Sequence, residues 1–189
     1  MKLIKNIFIF WIVIMFLVTF SCLLTYIVTQ QVIRLGANEL PVQFATETSI
    51  KLANGQSAKD SISNETIDIS KSLGTFVMIF DKDKNLIATS AMMGNAEPVY
   101  VKGVLDYADK MGEYRVTWQP QAGLRFATVA TKIGDKYIVA GRSLQEPERL
   151  IGIVGKIIFL AWLACLIFSS IALGIIYVFI KKVFKMEIR

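Results

Sequence analysis

The sequence predicts an α+β protein in which two transmembrane helices flank an extracytoplasmic domain with a long N-terminal helix and a roughly five-stranded antiparallel sheet. Three observations lead there. Of 189 residues, 54% are hydrophobic and only 19% charged, whereas ordinary soluble domains carry about a quarter charged residues. Two long runs contain no charge at all. Between them lie short β-branched and aromatic segments separated by turn residues.

The first run, Ile7–Val28, is IFIFWIVIMFLVTFSCLLTYIV, 22 residues. As a helix it reaches roughly 33 Å, enough for a hydrocarbon core of about 30 Å. The second, Ile157–Ile180, has 24 residues. Trp11 and Tyr26 in one run, and Trp162 and Tyr177 in the other, sit toward the ends as interface anchors do. A signal peptide is the alternative for the first run, but the apolar stretch continues beyond a signal core and no A-x-A-like site follows. Thr-Phe-Ser-Cys at 19–22 fits a lipoprotein cleavage site badly.

The net charge of +6 is concentrated at the ends. Lys2, Lys5, Lys181, Lys182, Lys185 and Arg189 against Glu187 leave +5 there, and residues 29–156 hold 15 positive and 14 negative charges. The positive-inside rule then expects a two-pass protein of the cytoplasmic membrane with both termini cytoplasmic. The expected organisation is a cytoplasmic N-terminus (1–6), a first span (7–28), an extracytoplasmic domain (29–156), a second span (157–180) and a short basic tail (181–189). No basic stripe with interleaved aromatics remains between the ends, which argues against a nucleic-acid partner.

Histidine is absent and only two cysteines, Cys22 and Cys165, are present. Histidine-based acid/base chemistry, Ser-His and Cys-His nucleophiles, His-ligated metals and a disulfide framework are therefore excluded. The two cysteines are expected to pack as small hydrophobes. The small residues Ala161, Cys165 and Ser169, and the pair Ser170 and Gly174, suggest close-packing faces on the second span.

Between the spans, Val32, Leu35, Leu40, Phe44 and Leu52 fall near helical spacing, so one helix is expected from Thr29 to about Gly55, kinked at Pro41. Residues 56–72 read as a loop or a second amphipathic helix, with a glycosylation-type triplet at Asn64. TFVMIF (75–80) and LIATS (86–90) form a hairpin around the DKDKN turn. Glu97-Pro98 opens a helix through Met111, with Val101, Val104, Leu105 and Ala108 on its buried face, and Gly112 ends it. YRVTW (114–118), LRFATVAT (124–131) and KYIVAGRS (136–143) complete the sheet.

FVMIFDKDKNLIATS (76–90), together with YIVAGRSLQEPERLIG (137–152), resembles a Cache-type, PAS-like extracytoplasmic sensor domain of the kind that sits between two membrane helices in bacterial sensor histidine kinases. The resemblance covers residues 30–156. It implies signal transduction of the two-component type, a small-molecule ligand that carries a carboxylate, a homodimer along the first helix, and a separate kinase or other signalling partner. Such receptors continue into a HAMP linker and an output domain, whereas here Lys181–Arg189 alone follow the second run.

No residue-level motif carries the family's ligand site across. The implied clamp is Tyr100, Arg115, Trp118 and Arg125, because arginine offers carboxylates a fixed fork of donors. Strand alternation, however, puts Arg115 and Trp118 on opposite faces. The acidic residues of the Asp81–Asn85 turn, and Asp106, Asp109 and Glu113, read as a solvated surface with no metal site. No cofactor is expected.

The exit from the domain carries the clearest signal. Ser143-Leu-Gln-Glu146 fits a capping box, and Pro147 is tolerated in a first turn. One helix is expected from about residue 144 through Lys182, with Gly152 and Gly155 as the weak points. Ser143, Glu146, Gly152 and Gly155 then form a signal-transmitting junction. The expected function is a membrane-anchored sensory or ligand-binding module without its own output domain. The alternatives are an interaction subunit that binds no small ligand, and the truncated sensor part of a histidine kinase. No catalytic constellation is visible, so an enzyme is not expected.

Overall fold

The structure, a computed structural model, describes residues 2–63 and 65–187. Asn64 of the glycosylation-type triplet and Arg189 of the basic tail lie outside the described residues. Helices α1 (Lys2–Gly36) and α5 (Gln145–Glu187) have 35 and 43 residues. Each contains a stretch long and apolar enough to cross a membrane, one near the N-terminus and one in the C-terminal helix. Val32–Arg149 forms a compact unit of its own, and the stretches before and after it form another.

The long helix expected after the first span is broken earlier than Pro41. Ala37 and Asn38 make a turn, and α2 (Glu39–Ala53) starts behind it. Pro41 is then the third residue of α2, in the first turn, whose N–H groups have no partner within a helix. It costs no hydrogen bond there, and the first i→i−4 bond runs from Val42 N to Asn38 O at 3.0 Å. The helix ends at Asn54 before Gly55, whose φ of +83° suits glycine.

Residues 56–72 are mostly irregular, with one short helix, α3 (Ala58–Ser61), whose N–H at Asp60 is capped by Ser57 Oγ at 3.2 Å. A strand follows that periodicity did not show. β1 (Ile67–Asp68) pairs in parallel with β4 (Ala91–Met92). Two residues are too few for an alternation to be read.

The five-stranded antiparallel sheet is present. It comprises β2 (Phe76–Phe80), β3 (Leu86–Thr89), β5 (Glu113–Gln121), β6 (Leu124–Ile133) and β7 (Lys136–Ser143), in the order β3-β2-β7-β6-β5. The last strand is thus central. Helix α4 (Lys102–Met111) begins later than Glu97-Pro98, because the intervening chain is irregular and carries Tyr100 into the core. Val101 accordingly caps the helix and is exposed, while Leu105 and Ala108 are buried as expected. Gly112, with φ of +78°, ends it and donates to Ala108 O at 2.8 Å.

Alternation along β2 divides the core between the two faces of the sheet. Val77 and Ile79 pack with Ala45, Ile138 and Ala140 on the side of α2. Phe76, Met78 and Phe80 face the other side with Trp118, Phe126 and Val139, covered by Leu105 and Ala108 of α4 and by Ile69 and Ala91. At the centre, Phe76 lies opposite Gly141 of β7. A Cβ on Gly141 would stand 2.4 Å from the Phe76 ring, so only glycine leaves room for it.

Candidate functional site

The four residues of the expected ligand clamp do not come together. Tyr100 and Trp118 are buried in contact, with ring centroids 5.2 Å apart, edge to face. Arg115 and Arg125 are exposed on the opposite face of the sheet, since Arg115 pairs across to Val129 while Trp118 pairs to Phe126. Each arginine is already engaged, Arg115 Nε with Glu113 at 2.7 Å and Arg125 with Glu148. The aromatic face that would bind a ligand is filled by its own side chains. Beside Tyr100 there is a cleft of about 300 Å³ edged by Lys84, Glu97 and Lys102.

Tyr100 is a structural anchor. Its hydroxyl lies 2.9 Å from Thr128 Oγ1, which itself donates to Val116 O at 3.0 Å, so the phenol donates into a closed chain. Burial pushes its pKa up to about 12. An unfolded chain ionises the phenol near 10. The stabilisation is therefore complete below pH 10 and is lost as pH rises to 12, on the order of 2–3 kcal/mol. Tyr100→Phe should flatten the fall in stability across that window, measured by denaturant melts at successive pH values. An unchanged slope would contradict the assignment.

Asp106 and Asp109 of α4 are tied to the sheet, pairing with Lys84 and Lys132, and both lysines lie within 6 Å of the Tyr137 ring centroid (5.9 and 5.8 Å). The Lys132 hydrogen bond holds the Asp109 carboxyl below its ordinary range. Asp81 serves its own turn, accepting from Asp83 N at 2.9 Å and Asn85 N at 2.8 Å.

Several hydrogen bonds and an ion pair converge on the junction between β7 and α5. Ser143 lies inside β7, and its Oγ accepts from Gln145 N at 3.2 Å. Neither half of the expected capping box forms: the Ser143 bond goes to Gln145 N and not to Glu146 N, and Glu146 turns forward to Arg149, 3.0 Å from its Nε. Arg149 offers the carboxylate a bidentate charged partner, which a lone backbone N–H does not match. Leu144 N donates to Arg125 O at 2.8 Å, and the Arg125–Glu148 pair closes the same corner. Underneath, Ala37, Ala127 and Leu144 form a small buried cluster, at 4%, 5% and 8% exposure. The turn that leads into the domain and the residue that leads out of it thus meet on β6. No periodicity in the sequence marks Ala37 or Ala127.

Past this corner α5 runs on through Gly152 and Gly155 without interruption. A Cβ at Gly152 would meet nothing within 4 Å, whereas one at Gly155 would stand 3.1 Å from the Tyr26 ring. Gly155 is therefore a point of close approach between the membrane-length helices. Two further contacts continue it, Trp162 Nε1 donating to Thr19 Oγ1 at 2.9 Å and Ser169 Oγ to Met15 Sδ at 3.4 Å. Gly155, Trp162 and Ser169 recur every seven residues, the spacing of a left-handed helix seam. The small-residue stripe of Ala161 and Cys165 is exposed instead, and of that set only Ser169 lies on the seam. Cys22 and Cys165 are free thiols.

Neither a protein family nor a curated protein matches the chain.

Proposed function

We propose that the chain is a membrane-anchored sensory module with a Cache-like, PAS-like extracytoplasmic domain, which passes a change in its sheet through α5 to a separate signalling partner across the membrane. One observation carries this reading. The central strand β7 leads, after Leu144 alone, into a single helix that contains the second apolar stretch. The five-stranded sheet with helices on both faces supports the family resemblance. The charge excess at the ends supports both termini lying in the cytoplasm. On that topology, protease added outside intact spheroplasts should cut only within residues 30–150. Loss of a C-terminal tag under those conditions would contradict it.

A second reading, an interaction subunit that takes no small ligand, is favoured by the filled aromatic face and the unassembled arginine clamp. Thermal shifts against a panel of carboxylate metabolites separate the two, because a ligand that binds only the folded state stabilises it. A saturable rise in melting temperature supports ligand sensing. A flat response across the panel, with a captured extracytoplasmic protein partner, supports the second reading.

A further inference from the structure

The seam between the membrane-length helices opens on one side into a groove of about 570 Å³, within the size range of small-ligand clefts. It lies where Val28 ends the first apolar run and Ile157 begins the second. Tyr26, Phe159 and Trp162 wall it, and Gly152 and Gly155 form its floor. The hydroxyl of Thr19 in the lining is occupied, accepting from Trp162 and donating to Met15 O at 2.8 Å. Lys156 is the one charged residue of the lining, and it makes no ion pair among the described residues.

We propose that this groove holds an acyl chain of an anionic phospholipid whose phosphate meets the Lys156 ammonium. The proposal rests on the membrane reading above. An apolar groove in hydrocarbon is filled by the chains around it. A lysine at the edge of the apolar run extends its stem along the wall and its charge toward the headgroups. A single unpaired cation at the mouth selects for a net negative headgroup. Gly152 keeps the groove open, since the free space over it is where any larger side chain would stand, and Gly155 lets Tyr26 approach beside it.

The test uses the full chain with Trp11→Phe, reconstituted in phosphatidylcholine vesicles containing a minor fraction of phosphatidylglycerol. Bromine is placed on the acyl chains of one lipid or the other at equal mole fraction, and quenching of Trp162 is measured. Trp118, buried in the sheet core, gives a constant background. Resistance to alkaline carbonate extraction is checked first, and failure there sinks the membrane reading itself. With integrated protein, the expected result is a preference of about fivefold for the brominated anionic lipid, the worth of one lysine near an anionic headgroup. Lys156→Gln should bring the two lipids to parity, Lys156→Arg should keep the preference, and Gly152→Leu should reduce quenching by both. Parity in the unmodified chain, or a preference that survives Lys156→Gln, overturns the proposal. So does quenching by neither lipid, which would mean that protein, such as a second copy, fills the groove.

Discussion

Gly141→Ala is expected to lower the stability of the Val32–Arg149 unit by about 3 kcal/mol, the upper range for forcing atoms into a packed core. The added methyl would stand 2.4 Å from Cζ of Phe76 and 2.9 Å from two further ring atoms. Phe76 cannot swing aside. It is fully buried, and its ring meets Phe126 edge to face at 5.5 Å and Trp118 at 6.1 Å. Phe76→Leu by itself should cost about 1–2 kcal/mol through lost contacts and a small void. In the double variant the shorter side chain gives the methyl room, so the costs should fall short of their sum by at least about 1 kcal/mol. Denaturant melts of the four proteins measure this. Simple additivity would show that the glycine is there for some reason other than the ring.

The second large effect concerns the exit helix. Ile153→Pro removes the hydrogen bond to the Arg149 carbonyl and sets the ring against it, which costs about 3 kcal/mol inside a helix. Ile153 is 42% exposed, so little packing is lost with it. The sheet domain should melt as before, while spin labels at Lys5 and Lys181 should cease to respond to changes in the domain. A variant that still responds would contradict coupling through a stiff α5. The two neighbouring glycines differ in kind. Gly152→Ala adds a methyl in open space and should stiffen the helix, by about 1 kcal/mol of helix propensity. Gly155→Ala pushes on Tyr26 and should loosen the seam between the helices.

What the sequence made legible follows physical scale. The two apolar runs and the strands of five or more residues carry enough repeats for a pattern to stand out. β1 and β4, with two residues each, do not. The kink expected at Pro41 does not form, because composition shows a proline but not its distance from the helix start, which the turn at Ala37–Asn38 sets. The clamp failed for a related reason. Alternation separated Arg115 from Trp118, but the face of Arg125 depends on its register with β5, which no single strand reveals. At the junction, the spacing of Ser143 and Glu146 matches a capping box, but Ser143 stays in β7 and bonds Gln145 N, and the rotation of Glu146 toward Arg149 is a competition between partners that spacing alone does not decide. The seam of Gly155, Trp162 and Ser169 was in principle readable as a seven-residue repeat, but the four-residue spacing of small side chains obscured it.

The central claim, that a change in the sheet moves the membrane-length helices through α5, is tested most directly by the distance between spin labels at Lys5 and Lys181 in the reconstituted full chain. Gly141→Ala, held below its melting temperature, supplies a defined strain in β7 just before the exit helix. The account predicts a shift of about 1–2 Å in the mean spacing, the scale of helix shifts in switching proteins, and its disappearance when Ile153→Pro is added. An identical distance distribution in the unmodified and Gly141→Ala proteins, with the domain folded in both, would contradict it.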